Sequence, residues 1–343
     1  MNSANRFVLL DGLRGVAAFV VLAFHLVQQH ALSALSYAGL AVDFFYVLSG
    51  FVVACAYERK LRSGQMQARH FIEVRIKRLY PLVFLSTSLG IAMASLAVLF
   101  KDSITLPQLL QASALALLIL PSFVFPQWQT AYPLNMASWS LTFEAFVNLV
   151  YVAIARQLTN RTLMALVASS WGALLLLVAH ADGIAGGNNQ EGWPWGFFRV
   201  MFPFFVGVVL YRFKPRPREN PVLAIALLPV LAIVLLLDFP NYRFFSLIYV
   251  SIVFPAIVYL GSGVIVPERI TAILHRLGLI SYPVYIMQGP ILRIGEEIMK
   301  HIHSTAMLRL FSIAEFCAVV LVAWIAAKCF DEPIQRALRA RGA

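Results

Sequence analysis

The chain has 343 residues, 60% of them hydrophobic and only 13% charged, with a formal net charge of +11. A soluble domain carries nearly twice that charged share, so the composition excludes an ordinary soluble fold and points to a polytopic membrane protein. A nucleic-acid surface is excluded too, because the Lys and Arg residues lie between apolar runs, as in cytoplasmic loops, with no basic stretch interleaved with aromatics.

A spanning helix needs ~20 mostly apolar residues. Ten such stretches are predicted, at about 13–31, 39–57, 79–100, 139–156, 161–180, 194–212, 221–238, 244–265, 277–295 and 307–328. The first follows charged residues and lacks a small-x-small exit site, so it is expected to stay as a spanning helix rather than be cleaved. Between the second and third lie Arg59, Lys60, Arg62, Arg69, Arg75, Lys77 and Arg78, which makes that loop cytoplasmic and places the N-terminus inside. An eleventh apolar stretch, "LLQASALALLILPSFVF" (109–125), follows the third span. Counting it as a span would turn Arg212, Lys214, Arg216 and Arg218, and the tail Lys328, Arg336, Arg339 and Arg341, to the outside. With ten spans, 21 of the 27 Lys and Arg residues face inside, five face outside and Arg199 lies within a span. The 109–125 segment is therefore expected to be re-entrant or interfacial, which is tolerated where protein shields it.

Both termini are then cytoplasmic, and residues 1–343 form a single all-α transmembrane domain with no internal repeat and no appended soluble domain. Cys55, Cys317 and Cys329 lie in or beside apolar segments and read as small packing residues, not a disulfide framework.

Ionisable groups inside spans are expensive and mark function by default. In "DGLRGVAAFVVLAFH" (11–25), Arg14 sits at the cytoplasmic mouth of the first span and His25 eleven residues further on. That places His25 ~16 Å deeper. Eleven steps of ~100° bring the two onto one face, with Asp11 within ~60° of the same stripe. Asp43 falls about one turn into the second span and Glu144, in "WSLTFE" (139–144), about one and a half turns into the fourth. Arg199 lies near the outer end of the sixth span and Gln288 about three turns into the ninth. The expected result is one outer-half layer holding His25, Asp43, Glu144, Arg199 and Gln288. Asp43 and Arg199 are also placed to snorkel, and Trp139 to anchor the interface. Arg75 and Arg78, three apart in "RIKR", share a helical face towards the mouth where Arg14 lies. "HIH" (301–303) is a weak metal signal, no CxxC, HExxH, P-loop or GxSxG pattern is present, and no metal site is expected.

Arginine forks favour phosphates. A cytoplasmic mouth lined by Arg14, Arg75 and Arg78 suits a diffusible polyanionic donor, and an extended arm such as pantetheine would bridge the ~16 Å to His25. A histidine beside a carboxylate is a natural base for a hydroxyl.

The stretches "LDGLRGVAAFVVLAFH", "GLAVDFFYVLSGFV", "RIKRLYPL", "WSLTFEAFVNLVY", "RVMFPFFVGVVLYR", "ISYPVYIMQGPI" and "FDEPIQRAL", in that order from residue 9 to about 338, resemble the acyltransferase-3 family of integral-membrane acyltransferases. The resemblance implies ten helices and O-acylation, commonly O-acetylation, of extracytoplasmic carbohydrates or lipids by cytosolic acyl-CoA. The family's Arg-x10-His signature falls on Arg14 and His25, its Arg-x-x-Arg signature on Arg75 and Arg78, and its Trp-Ser-Leu-x-x-Glu motif on Trp139 to Glu144. One position departs: members often have His where this chain has Gln288, and an amide cannot carry a proton in catalysis.

The expectation is an acyl-CoA-dependent O-acyltransferase of a bacterial inner membrane. Arg14, Arg75 and Arg78 would bind the CoA phosphates, and His25 would act with Glu144 and Asp43. Arg199 and Gln288 would position the acceptor or the thioester carbonyl, with Trp139 also binding substrate. The donor is acetyl-CoA or a related acyl-CoA, with no tightly bound cofactor. The partners are membrane lipid, a glycan acceptor and polysaccharide-biosynthesis proteins. The rival from another class is a proton-coupled transporter of a small polar solute, which also uses stripes of ionisable residues. It would lack any dependence on acyl-CoA, and no inverted repeat supports it. A non-catalytic membrane scaffold is the third reading.

Overall fold

Long apolar runs in which every backbone polar group must be satisfied internally can only be helical, and helices dominate the chain. The computed structural model describes residues 7–29, 35–100, 104–125, 128–181 and 183–340. The outer end of the first predicted span at 30–31, both chain ends and Arg341 of the predicted cytoplasmic tail lie outside the described residues.

In chain order the helices are α1 (Val8–Gln29), α2 (Ala41–Arg62), α3 (Ala68–Phe100), α4 (Leu106–Leu117), α5 (Ser138–Ile154), α6 (Asn160–His180), α7 (Trp195–Arg212), α8 (Pro221–Leu236), α9 (Tyr242–Ile248), α10 (Phe254–Ser262), α11 (Glu268–Met299), α12 (Thr305–Ile325) and α13 (Glu332–Ala340). A π-helical turn, Tyr249–Val253, fuses α9 to α10, and another, Ala326–Asp331, fuses α12 to α13. Each π turn lies just before a proline, Pro255 or Pro333, whose missing N–H breaks the regular ladder. Eight helical units among the described residues are long and apolar enough to cross a membrane, and α5 and α8 are shorter apolar helices. Every one of the ten predicted spans therefore coincides with a helical unit. The one addition to the all-α expectation is a two-residue parallel pairing, Arg218–Glu219 with Val264–Ile265, which ties the loop after α7 to the loop before α11.

Direction follows from the register of side-chain contacts. Arg14 meets Gly278 and Ser281, and Gln29 meets Leu292, so α1 and α11 run parallel. Asp43 meets Arg199 and Glu58 meets Arg212, so α2 and α7 run parallel. Arg75 meets Glu144 and Ser86 meets Asn135, so α3 and α5 are antiparallel. The segment between α3 and α5 therefore adds no net reversal. Its helix α4 folds back along α3: Ile104 and Leu109 share a buried cluster with Ala94 towards the C-terminal end of α3, while the hydroxyl of Tyr80, nearer its start, donates to Leu117 O at 2.9 Å. Ile119 then turns the chain in the left-handed region at φ 58°, strained for a β-branched residue, and Thr142 donates to its carbonyl at 2.6 Å.

Two helix pairs form the centre. The α2/α7 crossing is backbone to backbone: a Cβ on Gly50 would overlap the Phe204 carbonyl, and one on Gly207 the Val47 carbonyl. Small residues permit such approach where lipid offers no hydrophobic drive between helices. Where α3 meets α11, proline sets the chemistry. Pro290 cannot donate to Ile286 O, and the Ser86 hydroxyl does so instead at 2.7 Å. Pro81 likewise frees Lys77 O, which receives the Gln335 amide at 2.9 Å, so α13 is pinned to the start of α3.

Candidate active site

The polar residues of the interior fall into two layers, fixed by the parallel run of α1 and α11. In the lower layer, Arg14 donates through Nε to Ser281 Oγ at 2.9 Å and through Nη2 to Gly278 O at 3.0 Å and Asp11 Oδ1 at 3.1 Å. Arg75 Nη2 donates to Glu144 Oε1 at 2.5 Å, and Ser49 Oγ donates to the same oxygen at 2.7 Å. The Nε of Arg75 is buried without a protein acceptor. Arg78, exposed, stands within electrostatic reach of Arg75, Arg14 and Glu144. The three arginines singled out from sequence are thus brought together, around two carboxylates.

In the upper layer, His25 is half-buried and forms the wall of a cavity of about 230 Å³. Gln28, Gln29, Thr130, Tyr132, Arg293 and Glu296 supply its other polar side chains. Gly289 and Pro290 of α11 line it, while Gln288 lies behind the wall, 1% exposed. The Gln288 amide donates to Tyr285 O at 3.0 Å, and its Oε1 has no partner. Interpolating between the Arg14–Gly278 and Gln29–Leu292 contacts places His25 level with Gln288 and Gly289.

Arg199 and Asp43 form a closed fork, Nε to Oδ1 at 2.9 Å and Nη2 to Oδ2 at 2.6 Å, with Asp43 fully buried. Arg199 also donates to Gly186 O at 3.2 Å, and its guanidinium lies over the Trp139 ring at 5.2 Å. Arg199, Asp43 and Trp139 are therefore one unit, on the α2/α7 side of the interior.

The single layer expected from sequence is corrected in one member. Glu144 sits with Arg75 in the lower layer, not with His25. The reason lies in residues 130–137, which descend beside α3 before α5 begins. Asn135 Nδ2 donates to Ser86 Oγ at 3.0 Å, and Leu134 O rests against Gly90, where a Cβ would overlap it. Counting turns from residue 138 as though it lay at the surface therefore placed Glu144 too shallow. Neither carboxylate expected to orient His25 bonds to it among the described residues. The Gln28 side chain is within hydrogen-bonding reach of the imidazole, and Phe24 packs beside it with ring centroids 5.2 Å apart.

Several neighbours gave no sequence signal of their own. Ser49 bonds to Glu144, and Tyr285 bonds to Ser140 at 2.8 Å. Tyr132 reaches the cavity from a loop, donating to Thr142 Oγ1 at 2.8 Å and accepting from Trp193 Nε1 at 3.0 Å. Burial pushes the Tyr132 phenol above its usual pKa, so it stays neutral. Gln28 and Gln29 were within reach of helical arithmetic, lying three and four residues after His25. Among the described residues no group of three or more His, Cys, Asp or Glu side chains is placed to hold a metal ion.

Comparison with known proteins bears on this geometry. The acyltransferase-3 family model, described as an acyltransferase domain, matches residues 7–328. A curated protein of Rhizobium radiobacter named "Protein 2 in picA locus" is 35% identical over 189 residues, covering 52% of this chain and 96% of that protein. No solved structure matches.

Proposed function

The chain belongs to the acyltransferase-3 family, and we propose that it moves an acyl group, acetyl or succinyl, from cytosolic acyl-CoA to a hydroxyl of an extracytoplasmic polysaccharide or glycan. Its apolar helices and its family make it a multi-pass membrane acyltransferase. In this reading residues 1–343 are one domain of ten spans with cytoplasmic termini in a bacterial inner membrane, and α4 is a re-entrant helix shielded by α3. Polysaccharide-biosynthesis proteins would supply the acceptor.

Arg14, Arg75 and Arg78 would hold the CoA phosphates. The thioester arm would run along α1 to His25. His25 would take the proton of the acceptor hydroxyl as that oxygen attacks the thioester carbonyl. The C–S bond breaks, and the proton passes to the departing thiolate, so hydroxyl plus thioester become ester plus free CoA. Glu144 would act from below, holding Arg75 in line for a phosphate. The Asp43–Arg199 fork and Trp139 would shape the acceptor side, and Gln288, with its free Oε1, would help set the wall behind the reacting groups.

The observation that carries this reading is the placement of His25 on a cavity wall three helical turns along α1 from a cluster of guanidinium groups. The test is mass spectrometry of surface glycans from cells carrying the wild-type gene, no gene, or His25→Ala at matched expression. A mass difference of one acyl group that vanishes with His25→Ala is expected, since a general base contributes roughly 10²–10⁴-fold. Wild-type acylation by His25→Ala would remove the central residue of the mechanism.

A further inference from the structure

Among the described residues Arg293 is the one cation on the wall of the His25 cavity, and the proposed mechanism leaves it idle. It is half-buried on α11, about one turn outward of the level of His25. One N–H donates to Pro133 O at 2.5 Å, and the guanidinium carbon lies 4.4 Å from the centre of the Trp128 ring. Among the described residues it forms no salt bridge. Glu296, at the rim, and Glu297 are exposed, and both stand within electrostatic reach of it without bonding to it. Stacking on an aromatic face keeps a guanidinium flat and leaves its remaining in-plane donors pointing sideways, ready for a two-pronged acceptor. Its nearby carboxylates are exposed and not bonded to it, so this partly desolvated cation is only weakly compensated, and a carboxylate or phosphate would engage it with paired hydrogen bonds.

We propose that the acceptor entering this cavity carries an oxyanion, a sugar carboxylate or a sugar phosphate, which Arg293 grips while a ring hydroxyl of the same residue faces His25. One helical turn, ~5.4 Å, is about the width of one sugar ring, so the two groups belong to a single saccharide unit. The inference rests on the assignment of this cavity to the acceptor, and it names the class of acceptor.

The test measures binding without transfer. The purified full chain is unfolded thermally under intrinsic tryptophan fluorescence, with no acyl-CoA present. The probes are methyl glucuronoside, methyl glucoside 6-phosphate and neutral methyl glucoside. One or both acidic sugars should raise the midpoint at concentrations where the neutral sugar does not, and the stronger of the two tells carboxylate from phosphate. Arg293→Gln should weaken the acidic sugar by about 10–100-fold and leave the neutral sugar as it was. Arg293→Lys keeps the charge and a donor for Pro133 but loses the fork, and should fall between. If the glutamine variant does not fold, the lysine variant carries the test through its several-fold loss.

Neutral sugar binding as well as acidic overturns the proposal. So does unchanged acidic binding in the variants, which would leave Arg293 as a tether for the Pro133 loop, and so does the absence of any shift. Wild-type protein that binds the acidic sugar but acylates nothing in the glycan experiment would sink the acyl-transfer reading and leave this one standing.

Discussion

Replacing Asp43 with Ala strips one partner from a fork that is almost wholly inaccessible, with side-chain exposures of 0% for Asp43 and 7% for Arg199. Arg199 would keep only Gly186 O and the face of Trp139. Breaking a buried pair by removing one partner costs about 3–5 kcal/mol, because the other charge is stranded. At about 2 °C per kcal/mol, the slope for the largest single domains, the unfolding midpoint should fall by roughly 6–10 °C. The six tryptophans report unfolding in detergent without a label. Replacing both partners with apolar residues of similar volume, Asp43→Leu with Arg199→Met, should recover most of the loss. Asp43→Ala within ~0.5 kcal/mol of wild type would refute the reasoning, as would a double variant no better than the single one. The same pair of variants separates a fork that only shapes the acceptor side from one that takes part in the reaction: an apolar pair that folds yet transfers no acyl group would give Asp43 or Arg199 a direct part in transfer.

Ser86→Ala should cost about 1–3 kcal/mol, because it strands both Ile286 O and the Asn135 amide. Adding Pro290→Ala restores an N–H for Ile286 O, so the double variant should melt above Ser86→Ala alone. Gly207→Ala would drive a Cβ into the Val47 carbonyl with no side chain able to yield. A loss of at least ~1–3 kcal/mol should appear as a lower midpoint and a poorer monodisperse peak on size exclusion. Glu315, 5% exposed on α12, has no ion-pair partner among the described residues, and the neutral Gln29 side chain is its polar neighbour. Glu315→Gln removes a charge that nothing compensates and should leave the midpoint unchanged or raised, and a drop of several degrees would show that the carboxylate has an essential partner.

Much of the architecture was legible because hydropathy and loop charge act over whole segments. The ten apolar runs became helical units, and the charge balance that denied 109–125 a crossing agrees with α3 and α5 running antiparallel on either side of it. The Arg14–His25 relation was legible because eleven residues make three turns of one helix. Relations between helices were not. Asp43 and Arg199 are 156 residues apart, and nothing local marks them as partners. Glu144 was misplaced because sequence does not reveal that 130–137 enters the interior as irregular chain, made tolerable by Asn135, Ser86 and the missing side chain of Gly90. The cavity wall at Tyr132 and Arg293 was illegible for the same reason, since it depends on where that chain lies against α11.

The correction to Glu144 sharpens the division of labour between the layers. Below, Arg14, Arg75 and Arg78 face Asp11 and Glu144, with Asp331 within electrostatic reach of Arg78. The buried Nε of Arg75 has no protein acceptor there, and a donor bearing several phosphates would supply one. Above, Asp43 and Arg199 cancel each other, and the imidazole of His25 opens on a cavity with no carboxylate bonded to it. A base there need not compete with a strong ion pair for its proton. Had Glu144 stood beside His25, as its depth in the fourth predicted span implied, the lower layer would have lost part of its counter-charge and Arg75 its bonded partner, so one carboxylate cannot serve both. The geometry assigns it to the donor side. Glu144→Gln should therefore weaken acyl-CoA binding more than it slows transfer at saturation, and a variant with unchanged apparent affinity and a collapsed turnover would place the carboxylate back with the histidine.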